Sequence, residues 1–379
     1  MLILLLSLIT HPVFAWEKHQ AIMLQVTDAL PALKRDYLVQ KVKVPSRDEE
    51  KQMIGKLALR LGLNASKIPF FAETTTTKLA SITVRDLIQS AFIDEPDLGM
   101  DQNLPDSADP KNERAWMGGA SGPTSQGFRH MYFGGLAWSS PLSTFQIPFH
   151  AVGQAPDRFE KMRTISNEFF KKGDLFWGVR TLMWALHYAQ DLTQPFHVSQ
   201  VPNLNMVPWN KLFSGFIEHS THSLGNYHYA YEGLALEYLN EARVSEFNKC
   251  FEVFDMTEIQ DLTKTAAATR EAAPLLGEAV YILFGDEMKG DEVDLPHGKG
   301  SIDYYQLLHQ RETTMPTKAE QAELPTIVVK DMGLQLDRVN ALKKVRTVTC
   351  DLMKRVSALT WGELDRAFGY IDNSSSIGK

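Results

Sequence analysis

The sequence predicts an all-α protein, a bundle of helices around an apolar core. Two observations carry this reading. Segments whose apolar residues recur every three or four positions dominate the chain, whereas alternating, strand-like runs are scarce, with Thr326-Ile327-Val328-Val329 the main candidate. A length of 379 residues leaves ample room for a buried core in one large domain or two.

In chain order, residues 1–15 (MLILLLSLITHPVFA) contain no Lys, Arg, Asp or Glu. An apolar run from Leu2 to Ile9 precedes Pro12, and the small residue Ala15 closes the segment, the pattern of a cleaved signal peptide. The run is well short of the ~20 residues needed to span a bilayer. The expectation is a secreted or periplasmic chain, cut after Ala15, with no transmembrane segment in its mature part.

Helices are expected over 20–30, 48–61 and 157–172, and most clearly over 174–192. There Gly173-Asp174 supplies the start signal, and Leu175, Val179, Leu182, Leu186 and Ala189 recur at helical spacing. Phe176, Met183 and Trp184 make its other faces apolar too, so this helix belongs at the centre. Further helices are expected over 226–243, 257–284 and 336–364. Residues 101–127 read as a long polar loop. Residues 288–301 (MKGDEVDLPHGKGS), rich in Gly and charge, mark the expected boundary ahead of a helical C-terminal extension.

Composition narrows the function. Apolar residues make up 44% and charged residues 22%, ordinary globular usage that excludes a disordered or fibrous chain. A formal charge of −7 argues against electrostatic nucleic-acid binding but leaves room for metal-assisted cleavage. Two cysteines exclude a disulfide scaffold and any multi-cysteine metal site, so a metal here must be held by His, Asp and Glu. Cys250 and Cys350 can bridge if the chain is exported, or remain two buried thiols.

The histidines are clustered. Residues 187–197 read HYAQDLTQPFH, which places His187 and Asp191 one turn apart on one face of the central helix. Pro195 ends that helix, and the turn can return His197 toward the same face. Residues 228–232 (HYAYE) repeat the spacing with His228 and Glu232. Imidazoles and carboxylates on an apolar helix are costly unless a cation satisfies them, and a divalent metal would do so.

These motifs resemble the bacterial zinc-dependent phospholipase C family, which shares its fold with the fungal single-strand-specific zinc nucleases. The family signature is His-x3-Asp-x5-His followed by His-x3-Glu, with Trp as the first mature residue. This chain supplies His187, Asp191 and His197, then His228 and Glu232, and Trp16. The resemblance covers roughly residues 16–285, leaving 286–379 as linker and extension. It implies a helical bundle of that type with three zinc ions in a cleft. His187 and Asp191 would bind the first zinc, and His197, His228 and Glu232 the second. Trp16 and His19 would bind the third, with Asp191 bridging it to the first.

Asp97 and His130 fit the family's intervening acidic residue and its His followed by an aromatic, with Asp94 and Glu95 as rivals to the former and His150 to the latter. Asp97, Asp191 and Glu232 are the carboxylates expected at the reacting centre. Asp97 can be a metal ligand, a proton acceptor, or both. His219 and His222 are expected on a polar surface, and His297 and His309 receive no role.

The implied activity is phosphodiester hydrolysis by a monomer acting on phospholipid at a membrane surface, with no stable nucleic-acid partner. Glu232, where the nucleases commonly carry Asp, favours lipid. The apolar, Trp209-containing stretch between His197 and His228 can dip into a lipid surface or equally pack as an extra core helix. A zinc nuclease and a non-catalytic zinc-stabilised binding protein are the alternatives.

Overall fold

A computed structural model describes residues 19–29, 36–71, 81–101, 104–116, 127–134, 150–199, 210–211, 214–241, 246–252, 259–285, 288 and 329–377. The expected signal segment, Trp16, Trp209 and residues 326–328 lie outside them. The fold is all-α, as expected. Helix α1 (His19–Asp28) leads into a two-stranded antiparallel sheet, β1 (Lys41–Lys43) against β2 (Ser81–Thr83), with α2 (Arg47–Leu61) between them and α3 (Val84–Ile88) following. Three-residue strands are too short to show alternation in the sequence. The candidate strand is not one where it can be seen, since Val329 opens a helix.

The centre is a helical hairpin, α4 (Ala155–Lys171) and α5 (Leu175–Asp191). Asp174 caps α5 by accepting from the Trp177 amide at 3.2 Å. From Phe176 to Asp191 every residue of α5 is buried, the outcome dictated by apolar residues on all its faces. Arg180 is buried there as well. Glu95 accepts from its Nε and Nη2 at 2.9 and 2.6 Å, Glu50 accepts from its Nη1, and the Pro69 carbonyl accepts from its Nη2 at 2.7 Å. Pro195 then starts the single turn α6 (Pro195–Val198), where its missing N–H costs nothing.

Helix α7 (Phe216–Glu241) begins ten residues before its expected start. His219, Ser220 and Ser223 of its first turns are modest helix formers, and their burial holds them helical. His219 is 2% exposed, which corrects its expected place on a polar surface. The long helix expected over 257–284 is two, α8 (Leu262–Arg270) and α9 (Ala273–Phe284), because Pro274 cannot sit in a helix interior and instead occupies the first turn of α9.

Helix α10 (Val329–Ile377) packs on α9, α4 and the turn Glu246–Phe251. Its Val345, Met353, Val356, Trp361, Leu364 and Phe368 join the same apolar core as α4 and α5. The Trp361 indole donates to the Val26 carbonyl of α1 at 3.0 Å, and Glu363 accepts from Arg163 of α4 at 3.2 Å. Among the described residues, no helix is long and apolar enough to cross a membrane.

Cys250 and Cys350 form a disulfide across a sequence separation of 100 residues, tying α10 to the turn after α7. Closing a loop of that length removes much of the unfolded chain's freedom. Replacing both cysteines with Ser is therefore expected to lower unfolding free energy by about 2–5 kcal/mol. Denaturant unfolding of the variant beside the oxidised wild type measures this, and reductant should bring the wild type down to the variant.

Candidate metal centre

The two His/carboxylate pairs meet in one buried site. His187 and Asp191 leave the last turns of α5, His197 sits on α6, and His228 and Glu232 lie one turn apart on α7. His19 opens α1. Asp97 stands in a tight turn, Pro96–Met100, whose Gly99 has φ 121, and a Cβ there would lie 2.9 Å from the Lys67 side chain.

His130 comes from the segment 127–134, fixed from two sides. The Tyr132 amide donates to the His197 carbonyl at 2.9 Å, and Phe133 pairs with Val152. Gly153, at φ 117, packs so closely there that a Cβ would lie 1.9 Å from the Met131 carbonyl oxygen.

Asp191 is the hub. Its Oδ1 lies 3.3 Å from His19 Nε2 and 3.6 Å from His197 Nδ1, and its Oδ2 lies 3.0 Å from His130 Nδ1 and 3.3 Å from His187 Nε2. Asp97 Oδ1 is 3.4 Å from His130 Nδ1 and 3.6 Å from His187 Nε2, and its Oδ2 is 4.0 Å from His19 Nε2. A short distance away, His228 Nε2 lies 2.8 Å from His197 Nε2 and 2.7 Å from Glu232 Oε1.

Three buried groups thus offer converging donors: His19, Asp97 and His187; His130, His187 and Asp191; and His197, His228 and Glu232. Donors around a tetrahedral ion with bonds of about 2.0–2.2 Å stand roughly 3.3–3.6 Å apart. The spacings above straddle that value. Asp191 Oδ1 and His19 Nε2, both fully enclosed, face each other without a directed hydrogen bond. The centre can hold metal.

Neighbouring polar groups orient the donors. His197 Nδ1 lies 3.1 Å from the His130 carbonyl, so it carries the hydrogen and leaves Nε2 as the lone-pair atom. His19 Nδ1 does the same toward Gln190 Oε1 at 2.9 Å. Gln194 Nε2 donates to Glu232 Oε1 at 3.2 Å. Behind His130, Asp101 faces Nε2 at 3.6 Å and is itself held by Arg129 (2.5 Å), Arg158 (3.2 Å) and the Tyr188 hydroxyl (2.5 Å). Despite burial, the charges of Arg158 and Arg129 hold the Asp101 carboxyl well below the usual carboxylate range. Sequence reasoning had not singled out Gln190, Gln194 or Asp101.

The rivals fall away on geometry. Glu95 is turned to Arg180 and to the Trp184 indole at 2.6 Å, Asp94 accepts from the Gln20 amide at 3.0 Å, and His150 is exposed. Trp16 lies outside the described residues, while His19, three positions later, is in place.

The electrostatics follow from so many carboxylates in a buried site. Burial alone would lower the pKa of His19, but the close approach of Asp191 and the charges of Asp97 and Asp94 raise it to about 9. His130 likewise reaches about 9, burial being outweighed by Asp191, Asp97 and Asp101. His197 goes the other way, held well below the usual imidazole value by burial and by His228.

The fold and site together define a buried carboxylate–imidazole cluster within a helical bundle, with groups that could hold a metal ion. Comparison with known proteins finds no matching family model, no matching curated protein and no matching solved structure.

Two outcomes are expected. Asp191→Asn should remove more metal per protein than Ala at any single imidazole donor, with far-UV circular dichroism unchanged, because one side chain serves four imidazoles. Elemental analysis after loading and desalting reads this. Metal binding should also release protons near pH 7, since His19 and His130 are protonated there without metal and must be neutral as ligands. The release should fade as pH rises through about 9, where those imidazoles are already neutral. Calorimetric zinc titrations in buffers of different ionisation enthalpy count the protons.

Proposed function

We propose that this chain is a secreted, zinc-dependent phosphodiester hydrolase, and specifically a phospholipase C that releases diacylglycerol and a phosphorylated headgroup. The observation that carries the reading is the convergence of His19, Asp97, His130, His187, Asp191, His197, His228 and Glu232 on one buried centre. The donor chemistry, imidazole and carboxylate without thiolate, suits zinc. Asp97, His130, His187 and Asp191 would hold one ion, and His197, His228 and Glu232 a second. His19 and Asp191, with the terminal amine of Trp16 after signal removal, would hold a third. Bound zinc would supply Lewis acidity toward a phosphoryl oxygen and lower the pKa of water to about 7.

The chain's own residues do the rest. Asp97, whose side chain keeps 6% of its surface exposed, would accept the proton of an attacking water. Asp191 and Glu232 keep the imidazoles paired to carboxylate rather than to solvent. Asp101 holds His130 from behind.

Lipid is favoured over nucleic acid by Glu232 and by the presence of a single possible disulfide. The bridge between Cys250 and Cys350 and the N-terminal signal pattern both suit an oxidising, exported setting.

The deciding experiment offers phosphatidylcholine vesicles and single-stranded DNA to the mature protein, before and after chelation. Diacylglycerol release that vanishes with metal removal and returns with zinc is expected. Nucleotide release instead would make the chain a nuclease, and no release from either would make it a binding protein. Asp97→Asn should lower turnover by about 10²–10⁴-fold if it accepts the proton, with folding intact.

A further inference from the structure

His19 is the donor most in need of support. It opens α1, a ten-residue helix near the start of the described chain, yet its ring is fully buried against Asp97 and Asp191. Its Nε2 can donate a lone pair only if the ring hydrogen sits on Nδ1. Gln190 Oε1, 2.9 Å from Nδ1, accepts that hydrogen and so selects this tautomer.

An amide can do this only with its oxygen toward the ring, and a flipped Gln190 would present N–H to N–H. Its other end is therefore decisive. Gln190 Nε2 donates to Thr360 Oγ1 at 3.4 Å and to Met23 Sδ at 3.3 Å, two groups that suit N–H at that end. Thr360 lies on α10, 170 residues away in sequence, and its neighbour Trp361 donates to the Val26 carbonyl of α1. All of these side chains are buried. Gln190 is thus enclosed by α1, α5 and α10 at once, next in sequence to the hub Asp191.

We propose that Gln190 is a positioning residue that fixes His19 as an Nε2 metal donor, and that Thr360 of the C-terminal helix holds the Gln190 amide in the required orientation. The C-terminal helix is by this route an outer member of the metal centre. The inference rests on the metal reading of the centre, but it does not require any particular substrate.

The test measures zinc affinity of the intact mature protein by competition with a chromophoric chelator, together with the visible spectrum of its cobalt form. Gln190→Leu should weaken one class of zinc by about 10–100-fold, the range for an outer partner of a metal-bound imidazole, and leave the class at His197, His228 and Glu232 unchanged. Gln190→Glu, which keeps an acceptor opposite Nδ1, should restore most of the loss. Thr360→Val should give a smaller loss in the same class and a change in the cobalt spectrum.

A role in packing alone predicts lower thermal stability in these variants with unchanged zinc affinity of the folded protein, and that result overturns the proposal. So does a Gln190→Glu variant no better than Gln190→Leu. Should Gln190→Leu not fold, Thr360→Val carries the test, and wild-type affinity and spectrum in it refute the inference. Wild-type protein that takes up no zinc would refute the metal centre itself, a different outcome from zinc uptake indifferent to residue 190.

Discussion

One carboxylate buried among four imidazoles constrains most of what surrounds it. Moving an ion such as Asp191 out of water costs several kcal/mol even after relaxation, so it must be met by charge and hydrogen bonds from every side. That requirement draws in α1 through His19, the 127–134 segment through His130, α5 through His187 and α6 through His197. For His19 the remaining nitrogen is met by Gln190, whereas the His197 Nδ1 that faces Asp191 is shared with the His130 carbonyl. The helical bundle is the scaffold that lets these groups converge on one buried point.

The centre also divides labour between charges. Two other buried ionic knots sit within the same core, Arg180 with Glu50 and Glu95, and Asp101 with Arg129 and Arg158. Both are built on guanidinium, a group that cannot surrender its proton, and the second touches the centre only through Asp101 behind His130. Around Asp191 the bases that face it among the described residues are all imidazoles, which can give up a proton or a lone pair to a metal. The identity of the base, rather than burial, separates a structural knot from a potential reaction site.

Much of this was legible in the sequence because helical spacing is local. His187 with Asp191 and His228 with Glu232 need only the four-residue period to share a face, and the all-apolar stretch around them announced a central helix. Asp97 and His130 were reachable only through the resemblance, because no periodicity links loop residues to a helix face. Gln190, Gln194 and Asp101 act through contacts whose partners lie far along the chain, and polar residues of their kind occur throughout ordinary helices and loops. His219 misled because three-residue spacing on a polar segment says nothing about what packs on that face. The break between α8 and α9 was announced by Pro274, and there periodicity on either side concealed it.

The contact between Trp361 and the Val26 carbonyl joins nearly the two ends of the described chain. A polypeptide leaves the ribosome N-terminus first, so α1 is made long before the helix that secures it. Until α10 docks, His19 stands on a short helix with one flank open, and helices of that length are marginal alone in water. Such wide separation in sequence also slows folding, because the intervening loop must close before its contacts are rewarded. The centre is thus completed only once α10, the last of the described helices in chain order, has been made and has docked.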